Sequence, residues 1–436
     1  MGPMATIGSD GPSRGRLVVL GQGYVGLPLA MRACEVGYDV VGFDVDPIRV
    51  ARLAAGDSYV GDIPAERLGA ALGSGRYRAS ADPSDLAGFD VAVITVPTPL
   101  RDGAPDLSFI EDAARLLAAH LGPGACVVLE STTYPGTTDE LVAPLLEQGS
   151  GLVPGVDFHL GYSPERINPG DPTATLEGTP KVVSGIDPGS LARVQAFYDD
   201  IVVRTVPVSG TREAELTKLL ENTFRHVNVA LVNELAMFAA DLDIDVWEAI
   251  DAADTKPFGF MRFEPGPGVG GHCLPIDPSY LAWKVQNELG APFRFVELAN
   301  EVNDFMPEYV VRRLTAGLHA RNKVLEGARV LVLGLAYKPE TGDAREAPAL
   351  RIAGLLARMG AQVHAADPYV VDEVHGLDPS IGLVRVDLGP EEVAAADAVV
   401  VVTPHAVFDL TMVVAHAQYV LDTRRKVPPA ANVEHL

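Results

Sequence analysis

Residues 16–26 read Arg-Leu-Val-Val-Leu-Gly-Gln-Gly-Tyr-Val-Gly, and this stretch decides the fold. The apolar run predicts a buried strand, and glycines spaced G-x-G-x-x-G predict a tight turn into a helix over Leu27–Val36. A second strand over Asp39–Phe43 ends at Asp44, which lies 18 residues after Gly26. Strand, glycine turn, helix, strand and acid in this order are typical of a Rossmann domain that binds a dinucleotide.

The same residues predict NAD as the cofactor. Glycines let the backbone approach a pyrophosphate, the helix N-terminus supplies N–H donors, and an acid at Asp44 takes a ribose hydroxyl and repels the 2′-phosphate of NADP. Arg49 is near enough in sequence to reach the adenosine, with an exposed helix charge as the alternative. Ligands of such a sheet lie beyond the carboxyl ends of its strands. The expected cofactor contacts are Gly21, Gly23, Tyr24, Val25, Gly26, Asp44, Arg49, Thr95, Pro97, Thr98 and Thr132.

Composition excludes several classes of partner. The 436 residues carry a net charge of −24, so no nucleic-acid or anionic-membrane surface is expected, and an anionic substrate needs a local basic pocket. Three cysteines fit a reducing cytoplasm rather than a disulfide framework, and no metal site is expected. Residues 1–15 predict a disordered extension that is neither a signal peptide nor an anchor. No apolar run reaches the about 18 residues that a spanning helix needs.

The middle of the chain, residues 209–320, predicts a helical region that suits a dimer contact. Thr211–Asp241 contains no proline or glycine, and Lys218, Asn222 and Arg225 share one helix face beside an apolar stripe. Lys218 therefore either points inward, where an amine can hold a negative oxygen, or is an ordinary exposed lysine. Further helices are expected over 278–289 and 293–318.

Residues 321–436 predict a second, smaller parallel sheet, which follows the first sheet of residues 16–208. Gly327–Gly334 opens a strand–helix unit without the full glycine pattern. Cations at the predicted strand ends suit a nucleotide's phosphates, although each is surface charge on the alternative reading: Lys338, Arg345 and Arg424. The fold class is thus α/β, with two Rossmann-like, doubly wound parallel sheets joined by a helical middle region with a long connecting helix.

One cysteine has the sequence context of a reactive loop. Four glycines and two prolines precede Cys273 within the segment 265–277, which disfavours a helix or a central strand. A thiol on such a loop can meet a substrate, whereas a buried cysteine in a turn is the alternative. Cys34 in a predicted helix and Cys126 in a predicted strand are expected to be core thiols.

Several motifs along the chain together resemble one enzyme family, the UDP-glucose/GDP-mannose dehydrogenases, over about residues 15–430. They are Gly21–Pro28, Ser163–Arg166, Glu215–Lys218 with Asn222, Gly270–Cys273, and Tyr337–Lys338 with Asp343–Arg345. The resemblance implies NAD in the first domain, a UDP-sugar substrate in the second, and a homodimer or higher homo-oligomer. It also implies a place in polysaccharide biosynthesis.

The closest branch is that of the UDP-N-acetylhexosamine 6-dehydrogenases, which is similar in Lys256–Phe260 and in Gly270–Asp277. UDP-glucose dehydrogenases usually carry a lysine at the position of Ile276 and a second glutamate at the position of Pro169. The resemblance therefore favours UDP-N-acetylglucosamine or UDP-N-acetylmannosamine as substrate. The first alternative is an enzyme for UDP-glucose or another nucleotide sugar. The second alternative is a non-catalytic NAD-binding protein.

The reaction that the resemblance implies is a four-electron oxidation of the sugar C6 alcohol to a carboxylate. Cys273 would trap the aldehyde as a thiohemiacetal and then carry a thioester. Lys218 and Asn222 would steady the C6 oxygen as it becomes negative, and Lys218 could also act as the first base with a water. Asp277 would assist that water or Lys218.

The resemblance assigns the remaining site residues to water, cofactor and substrate. Glu165 and Thr132 would handle the water that hydrolyses the thioester, and Arg345 would bind NAD. Arg262 matches, at a different spacing from the cysteine, an arginine that some members lend to a neighbouring subunit's sugar. The implied substrate contacts are Glu165, Arg166, Lys218, Asn222, Arg262, Gly271, Lys338 and Arg424.

Overall fold

The computed structural model describes residues 12–101, 103–167, 175–271, 274–370 and 381–436. It divides into two compact units, Met1–Glu221 and Asn222–Leu436, with the division inside one long helix. The predicted three-part division at 209 and 320 stays a prediction, and most of the predicted N-terminal extension lies outside the described residues.

The first unit is built on an eight-stranded sheet. The strands of this sheet are β1 (Arg16–Leu20), β2 (Asp39–Phe43), β3 (Tyr77–Ser80), β4 (Val91–Ile94), β7 (Cys126–Leu129), β8 (His159–Tyr162), β9 (Lys181–Gly185) and β10 (Thr205–Pro207). Two further strands, β5 (Leu100–Arg101) and β6 (Ala104–Pro105), form a separate short hairpin. The order across the sheet is β10-β9-β8-β7-β4-β1-β2-β3. Neighbours are parallel except β8 and β9, which run antiparallel. The chain reverses direction across the sheet between β1 and β4, where a Rossmann fold places its ligand.

Helices cover both faces of this sheet. They are α1 (Gly26–Glu35), α2 (Pro47–Ala54), α3 (Ala65–Gly73), α4 (Ser108–Ala118), α5 (Ala143–Ser150), α6 (Pro188–Ile201) and the start of α7 (Thr211–Asp241), with a 3₁₀ turn at Pro83–Leu86 and a π-helical turn at Thr138–Val142. Because side chains alternate along a strand, Leu17 and Val19 enter one core cluster, and Val18 and Leu20 enter the other. Each such buried side chain contributes roughly 1.5–3 kcal/mol to the free energy of folding. Because helices pack on both faces of the sheet, the predicted doubly wound sheet is confirmed.

The second unit holds the end of α7 and a six-stranded sheet. Its elements are α8 (Val246–Asp254), α9 (Asp277–Leu289), α10 (Arg294–Ala320), β11 (Arg329–Leu333), α11 (Pro348–Arg358), β12 (Gln362–Ala366), β13 (Val384–Arg385), α12 (Pro390–Ala395), β14 (Ala398–Val401), α13 (Leu410–His416), β15 (Val420–Asp422) and β16 (Val433–His435). The order is β13-β12-β11-β14-β15-β16, and every described pair is parallel. The predicted second Rossmann-like sheet is therefore confirmed.

No described helix in either unit combines the length and the hydrophobicity that crossing a bilayer requires.

Candidate active site

The glycine turn after β1 leaves room for a ligand where a side chain would stand. A Cβ on Gly21 would lie 2.6 Å from the Thr95 carbonyl oxygen, and a Cβ on Gly26 would lie 1.9 Å from the Gly21 carbonyl oxygen. Glycine is therefore needed at both positions for packing. A Cβ on Gly23 would meet no atom within 4 Å, so this position faces open space just before the N-terminus of α1. The arrangement fits a dinucleotide pyrophosphate.

Asp44 is fixed at the carboxyl end of β2. One carboxylate oxygen accepts from the Gln22 N–H at 2.9 Å, and the other accepts from the Asp46 N–H at 3.0 Å. Arg49 Nη1 lies 3.7 Å from the Asp44 carboxylate, and its guanidinium lies over the ring of Tyr59. The acid and the arginine predicted to meet the adenosine are thus neighbours; Arg49 is exposed on α2, and its contact with the cofactor stays a prediction.

The residues predicted at the end of β4 have different surroundings. The Thr95 hydroxyl donates to the carbonyl oxygens of Leu20 and Gly21 at 2.8 and 2.9 Å, so it holds the glycine turn together. Thr98 is buried and Pro97 is exposed. The side chain of Thr95 therefore serves the shape of the cofactor turn, while Pro97 is open to a ligand.

Lys218 and Glu165 meet in the first unit. The Lys218 ammonium donates to the Glu165 main-chain carbonyl oxygen at 2.6 Å, and Lys218 is only 7% exposed. The inward orientation of this lysine is therefore the one that the structure has. Glu165 is also buried, and its Oε1 accepts from the Ile167 N–H. Thr132 is half-buried, and its hydroxyl makes no hydrogen bond within the described residues.

Behind Glu165 lies a buried charged group that the sequence analysis missed. The Lys181 ammonium contacts the Glu130 carboxylate and lies 3.9 Å from Glu165 Oε2. The Tyr198 hydroxyl donates to the second Glu130 oxygen at 2.5 Å. Burial raises the pKa of the Glu130 carboxyl, and the Lys181 ammonium opposes that rise. The sequence feature that could have indicated this pair is a charged residue at one end of each of two apolar strands, β7 and β9.

Glu215 anchors the loop that follows β7. Its two carboxylate oxygens accept from the N–H groups of Gly136 and Thr138 and from the Thr138 hydroxyl, at 2.6–2.9 Å. Burial raises the pKa of this carboxyl to about 7, because desolvation outweighs the hydrogen bonds. Arg166, for which the substrate contact stays a prediction, pairs with Glu221 at 2.6 Å and donates to the Pro180 carbonyl oxygen.

In the second unit, Asn222 and Asp277 form a buried contact. The Asn222 amide nitrogen donates to Asp277 Oδ2, and its oxygen accepts from the Arg225 guanidinium at 2.7 Å. Asn222 is 2% exposed and Asp277 is 1% exposed. The carboxylate and the guanidinium fix which way the amide faces, so two of the predicted catalytic residues are brought together.

The loop that leads to Cys273 packs against residues predicted to bind the nucleotide. The Gly271 N–H donates to the Arg345 carbonyl oxygen at 3.0 Å. A Cβ on Gly271 would lie 2.8 Å from the Tyr337 ring, and one on Gly266 would lie 2.4 Å from Arg424 Nη1. Gly271 also has a positive φ of 81°. Glycine is thus required for this close approach; Cys273 itself and His272 lie outside the described residues.

The cations of the second unit differ in what holds them. Arg345 forms a two-point ion pair with Asp343, at 2.9 and 2.6 Å. Lys338 lies over the ring of Tyr337. Arg262 pairs with Asp251 at 2.8 Å, so its guanidinium already has an acidic partner.

Arg424 has a different environment. Its side chain makes no hydrogen bond or ion pair with any residue in the described ranges, and burial lowers its pKa. The carboxylates of Glu264 and Asp422 oppose that fall in pKa, but neither forms an ion pair with the guanidinium, which can therefore still take an anionic ligand. The described residues contain no group of His, Cys, Asp or Glu side chains that could hold a metal ion.

Comparisons with known proteins agree with this geometry. The NAD binding domain of the UDP-glucose/GDP-mannose dehydrogenase family matches residues 15–202, its central domain matches residues 212–305, and its UDP binding domain matches residues 331–429.

Individual relatives match over nearly their full length. A UDP-N-acetyl-D-mannosamine dehydrogenase of Pyrococcus horikoshii is 36% identical over 90% of both chains. A UDP-N-acetyl-D-glucosamine 6-dehydrogenase of Pseudomonas aeruginosa is 37% identical over 90% of this chain and 91% of its own. The solved UDP-D-ManNAc dehydrogenase of Pyrococcus horikoshii superimposes with a TM-score of 0.86 at 34% identity, covering 96% of this chain and 98% of the other.

Proposed function

Since the chain belongs to the UDP-glucose/GDP-mannose dehydrogenase family, and is therefore an NAD-dependent oxidoreductase, we propose that it oxidises C6 of a UDP-N-acetylhexosamine to the carboxylate. The substrate is UDP-N-acetylglucosamine or UDP-N-acetylmannosamine. Relatives that carry these two names match this chain almost equally well, at 37% and 36% identity.

Two buried polar side chains one turn apart on α7 carry the proposal. Lys218 donates to the Glu165 carbonyl oxygen, and Asn222 donates to Asp277. Burying an ammonium and an amide costs free energy unless each finds partners, and a protein that only held NAD would have no use for them. Both groups are donors, as an oxygen that gains negative charge requires.

The proposed chemistry has three stages, and bound NAD supplies the hydride acceptor for two of them. In the first, the C6 hydroxyl gives its proton to a water assisted by Asp277 and C6 loses a hydride, while Lys218 and Asn222 stabilise the C6 oxygen. In the second, the Cys273 thiolate adds to the aldehyde carbon, and the thiohemiacetal loses a hydride to give a thioester. In the third, water adds at C6, the carbon–sulfur bond breaks, and the acid leaves; Glu165 accepts the water's proton with help from Thr132.

Cations of the second unit would hold the UDP moiety. The protein as a whole carries a charge of −24, so a diphosphate needs local positive charge to bind. Arg424 supplies a guanidinium that forms no ion pair among the described residues, beside Gly266 of the cysteine loop. Lys338 follows β11 and supplies a second charge.

We further propose that the protein is a homodimer or a higher homo-oligomer that associates through α7. This helix exposes a row of large apolar side chains at helical spacing. They are Leu216, Leu220, Phe224, Leu231, Leu235 and Phe238, each more than 40% exposed. A contiguous apolar row of this kind marks an interaction surface.

A substrate panel tests the proposed function. NAD is mixed in turn with UDP-GlcNAc, UDP-ManNAc, UDP-GalNAc and UDP-glucose, and NADH absorbance and the sugar product are followed. We expect two NADH for each molecule of uronic acid, with an N-acetylhexosamine preferred. Preference for UDP-glucose would replace the proposed substrate. One NADH with a stable aldehyde or ketone would indicate another dehydrogenase, and no NADH with any sugar would indicate a non-catalytic protein.

A further inference from the structure

Lys181 is a buried lysine with an unusual set of contacts. Its side chain is 3% exposed, and it opens β9 beyond the carboxyl end of β8. The ammonium contacts the Glu130 carboxylate and donates to the Pro164 carbonyl oxygen at 3.1 Å. An ammonium has three donors, and these two contacts use two of them. Glu165 Oε2 lies 3.9 Å away.

Glu165 has a buried carboxylate oxygen that needs this charge. Oε1 accepts from the Ile167 N–H, whereas Oε2 is buried and accepts no hydrogen bond from any described residue. A buried carboxylate is costly unless charge or hydrogen bonds compensate it. The Lys181 ammonium is the cation recorded within ion-pair distance of that oxygen among the described residues.

Two lysines hold consecutive carbonyl groups of one segment. Lys181 binds the Pro164 oxygen, and Lys218 binds the Glu165 oxygen. The main chain of the segment that carries the Glu165 side chain is therefore held by two ammonium groups, one on each carbonyl oxygen. Replacing a buried ion pair by apolar residues is often neutral for stability, so stability alone does not account for the Glu130–Lys181 pair.

We propose that Lys181, balanced by Glu130, is a positioning residue that fixes the Pro164–Glu165 segment, and with it the Glu165 carboxylate, for thioester hydrolysis. The inference rests on the proposed function. In that step a water oxygen bonds to C6, its proton passes to the Glu165 carboxylate, and the bond from C6 to the Cys273 sulfur breaks. A general base must lie within hydrogen-bond reach of the proton that it accepts, so the position of the Glu165 carboxylate governs this step.

The test uses the double variant Glu130→Gln/Lys181→Met in the full-length protein. Removing Lys181 alone would leave Glu130 as a buried, unbalanced charge, whereas the double variant removes both charges together. Stopped-flow NADH absorbance separates the oxidative burst from steady-state turnover between pH 5.5 and 9. The matched control is Lys323→Met/Asp397→Asn, which removes a lysine–carboxylate pair of 2.6 Å in the second unit.

We expect the double variant to keep NAD affinity and the burst of NADH, but to lose steady-state turnover. The loss should be about 100-fold, in keeping with the 10²–10⁴-fold scale of general base catalysis. Hydroxylamine, which cleaves a thioester without a general base, should restore turnover in the variant. The control should behave as the wild type.

Two results would overturn the inference. One is a turnover profile that matches the wild type across the pH range. The other is a loss of turnover that hydroxylamine does not restore. If circular dichroism shows that the double variant is unfolded, Glu130→Gln alone decides, because it removes the carboxylate that holds the Lys181 ammonium. A burst of NADH with slowed turnover that hydroxylamine restores is then expected, and wild-type turnover counts against the inference.

Failure of the inference is distinguishable from failure of the proposed function. If wild-type protein gives two NADH per sugar while the variants show no change, only the role of Lys181 is wrong. If the wild-type protein gives no acid from any UDP-sugar, the proposed function itself is wrong.

Discussion

The Lys218 ammonium donates a 2.6 Å hydrogen bond to the main-chain carbonyl oxygen of Glu165. This bond links the first turns of α7 to the segment after β8, and it uses one of the lysine's three donors. The remaining donors are left for other acceptors. A lysine held in this way is oriented before a substrate arrives, as an oxyanion donor must be.

Lys218→Ala should therefore reduce kcat by about 10²-fold or more, the scale of one oxyanion donor, with little change in KM. Steady-state NADH kinetics with the preferred UDP-sugar measure both constants. Lys323→Ala, which removes a half-buried lysine that pairs with Asp397 in the second unit, is the control and should retain wild-type kcat. An effect confined to KM would mean that Lys218 only binds the substrate.

Cys273→Ser should abolish acid formation while NAD and UDP-sugar binding stay largely intact, since a serine hydroxyl is a poor substitute for a thiolate. Product analysis and calorimetric titration measure the two properties. Full activity of the variant would end the covalent scheme.

Thiol labelling provides a control on that assignment. Burial raises the pKa of Cys126 to about 12 and that of Cys34 well above its ordinary range, so both thiols stay protonated at neutral pH. Iodoacetamide reacts with the thiolate. Of the three cysteines, the native protein should therefore label at Cys273, with loss of activity in parallel. Equal labelling of Cys34, read by mass spectrometry, would contradict the assignment.

Asp44→Asn should narrow the preference for NAD over NADP by about 10-fold. The carboxylate is fixed by two N–H donors at the end of β2, and a charged hydrogen bond to a ribose hydroxyl contributes about 1.5–3 kcal/mol. Fluorescence titration with each cofactor gives the ratio of dissociation constants. Asp46→Asn is the control, because Asp46 caps α2 through the Ile48 N–H. An unchanged ratio in Asp44→Asn would remove Asp44 from the cofactor site.

The elements that could be predicted from sequence are those with a strong local pattern. Helix α7 runs over Thr211–Asp241, as predicted, because no proline or glycine interrupts it. Strand β2 also begins and ends as predicted, at Asp39 and Phe43. Both sheets were predicted because apolar runs of strand length alternate with helices, which is a property of short segments.

The side-chain contacts that could not be predicted depend on chain reversals far apart in sequence. Glu130 and Lys181 are 51 residues apart, and they meet because β9 runs antiparallel to β8. No local pattern encodes that reversal. Thr95 lies at a strand end as predicted, but its hydroxyl donates to the glycine turn, since two carbonyl oxygens lie within reach.

Glu215 gives a pH dependence of stability. Its pKa is about 7 in the folded protein against an ordinary 4.5, so between these values the folded protein holds a proton that the unfolded chain has released. The free energy of unfolding therefore falls as pH rises through this window, by roughly 3 kcal/mol in total. Glu215→Gln should remove this dependence, so the advantage of wild type over variant should be larger at pH 5 than at pH 8.

Urea unfolding followed by circular dichroism at pH 5, 6, 7 and 8 measures that difference. Asp187→Asn is the control. Burial raises the pKa of Asp187, but hydrogen bonds from Ser190 and Gly189 outweigh it and leave the pKa below its ordinary value. The stability that the Asp187 carboxylate contributes is lost only as pH falls below about 4. The difference in free energy of unfolding between wild type and Asp187→Asn should therefore be constant from pH 5 to 8. If the difference in free energy of unfolding between wild type and Glu215→Gln is also constant over this range, Glu215 does not retain a proton in the folded protein.

Phe238→Asp should weaken self-association by roughly 10²-fold or more. Phe238 is 52% exposed and lies in the apolar row of α7. A symmetric dimer uses the same residue twice, so each association would lose two aromatic contacts, at about 1.5–3 kcal/mol each, and would face two new charges. Sedimentation velocity over a range of concentrations measures the shift toward monomer. Val156→Asp places the same charge on another exposed apolar residue, outside the row, and should associate as wild type does. A wild-type protein that sediments as a monomer, or a Phe238 variant that associates like the control, would remove α7 as the interface.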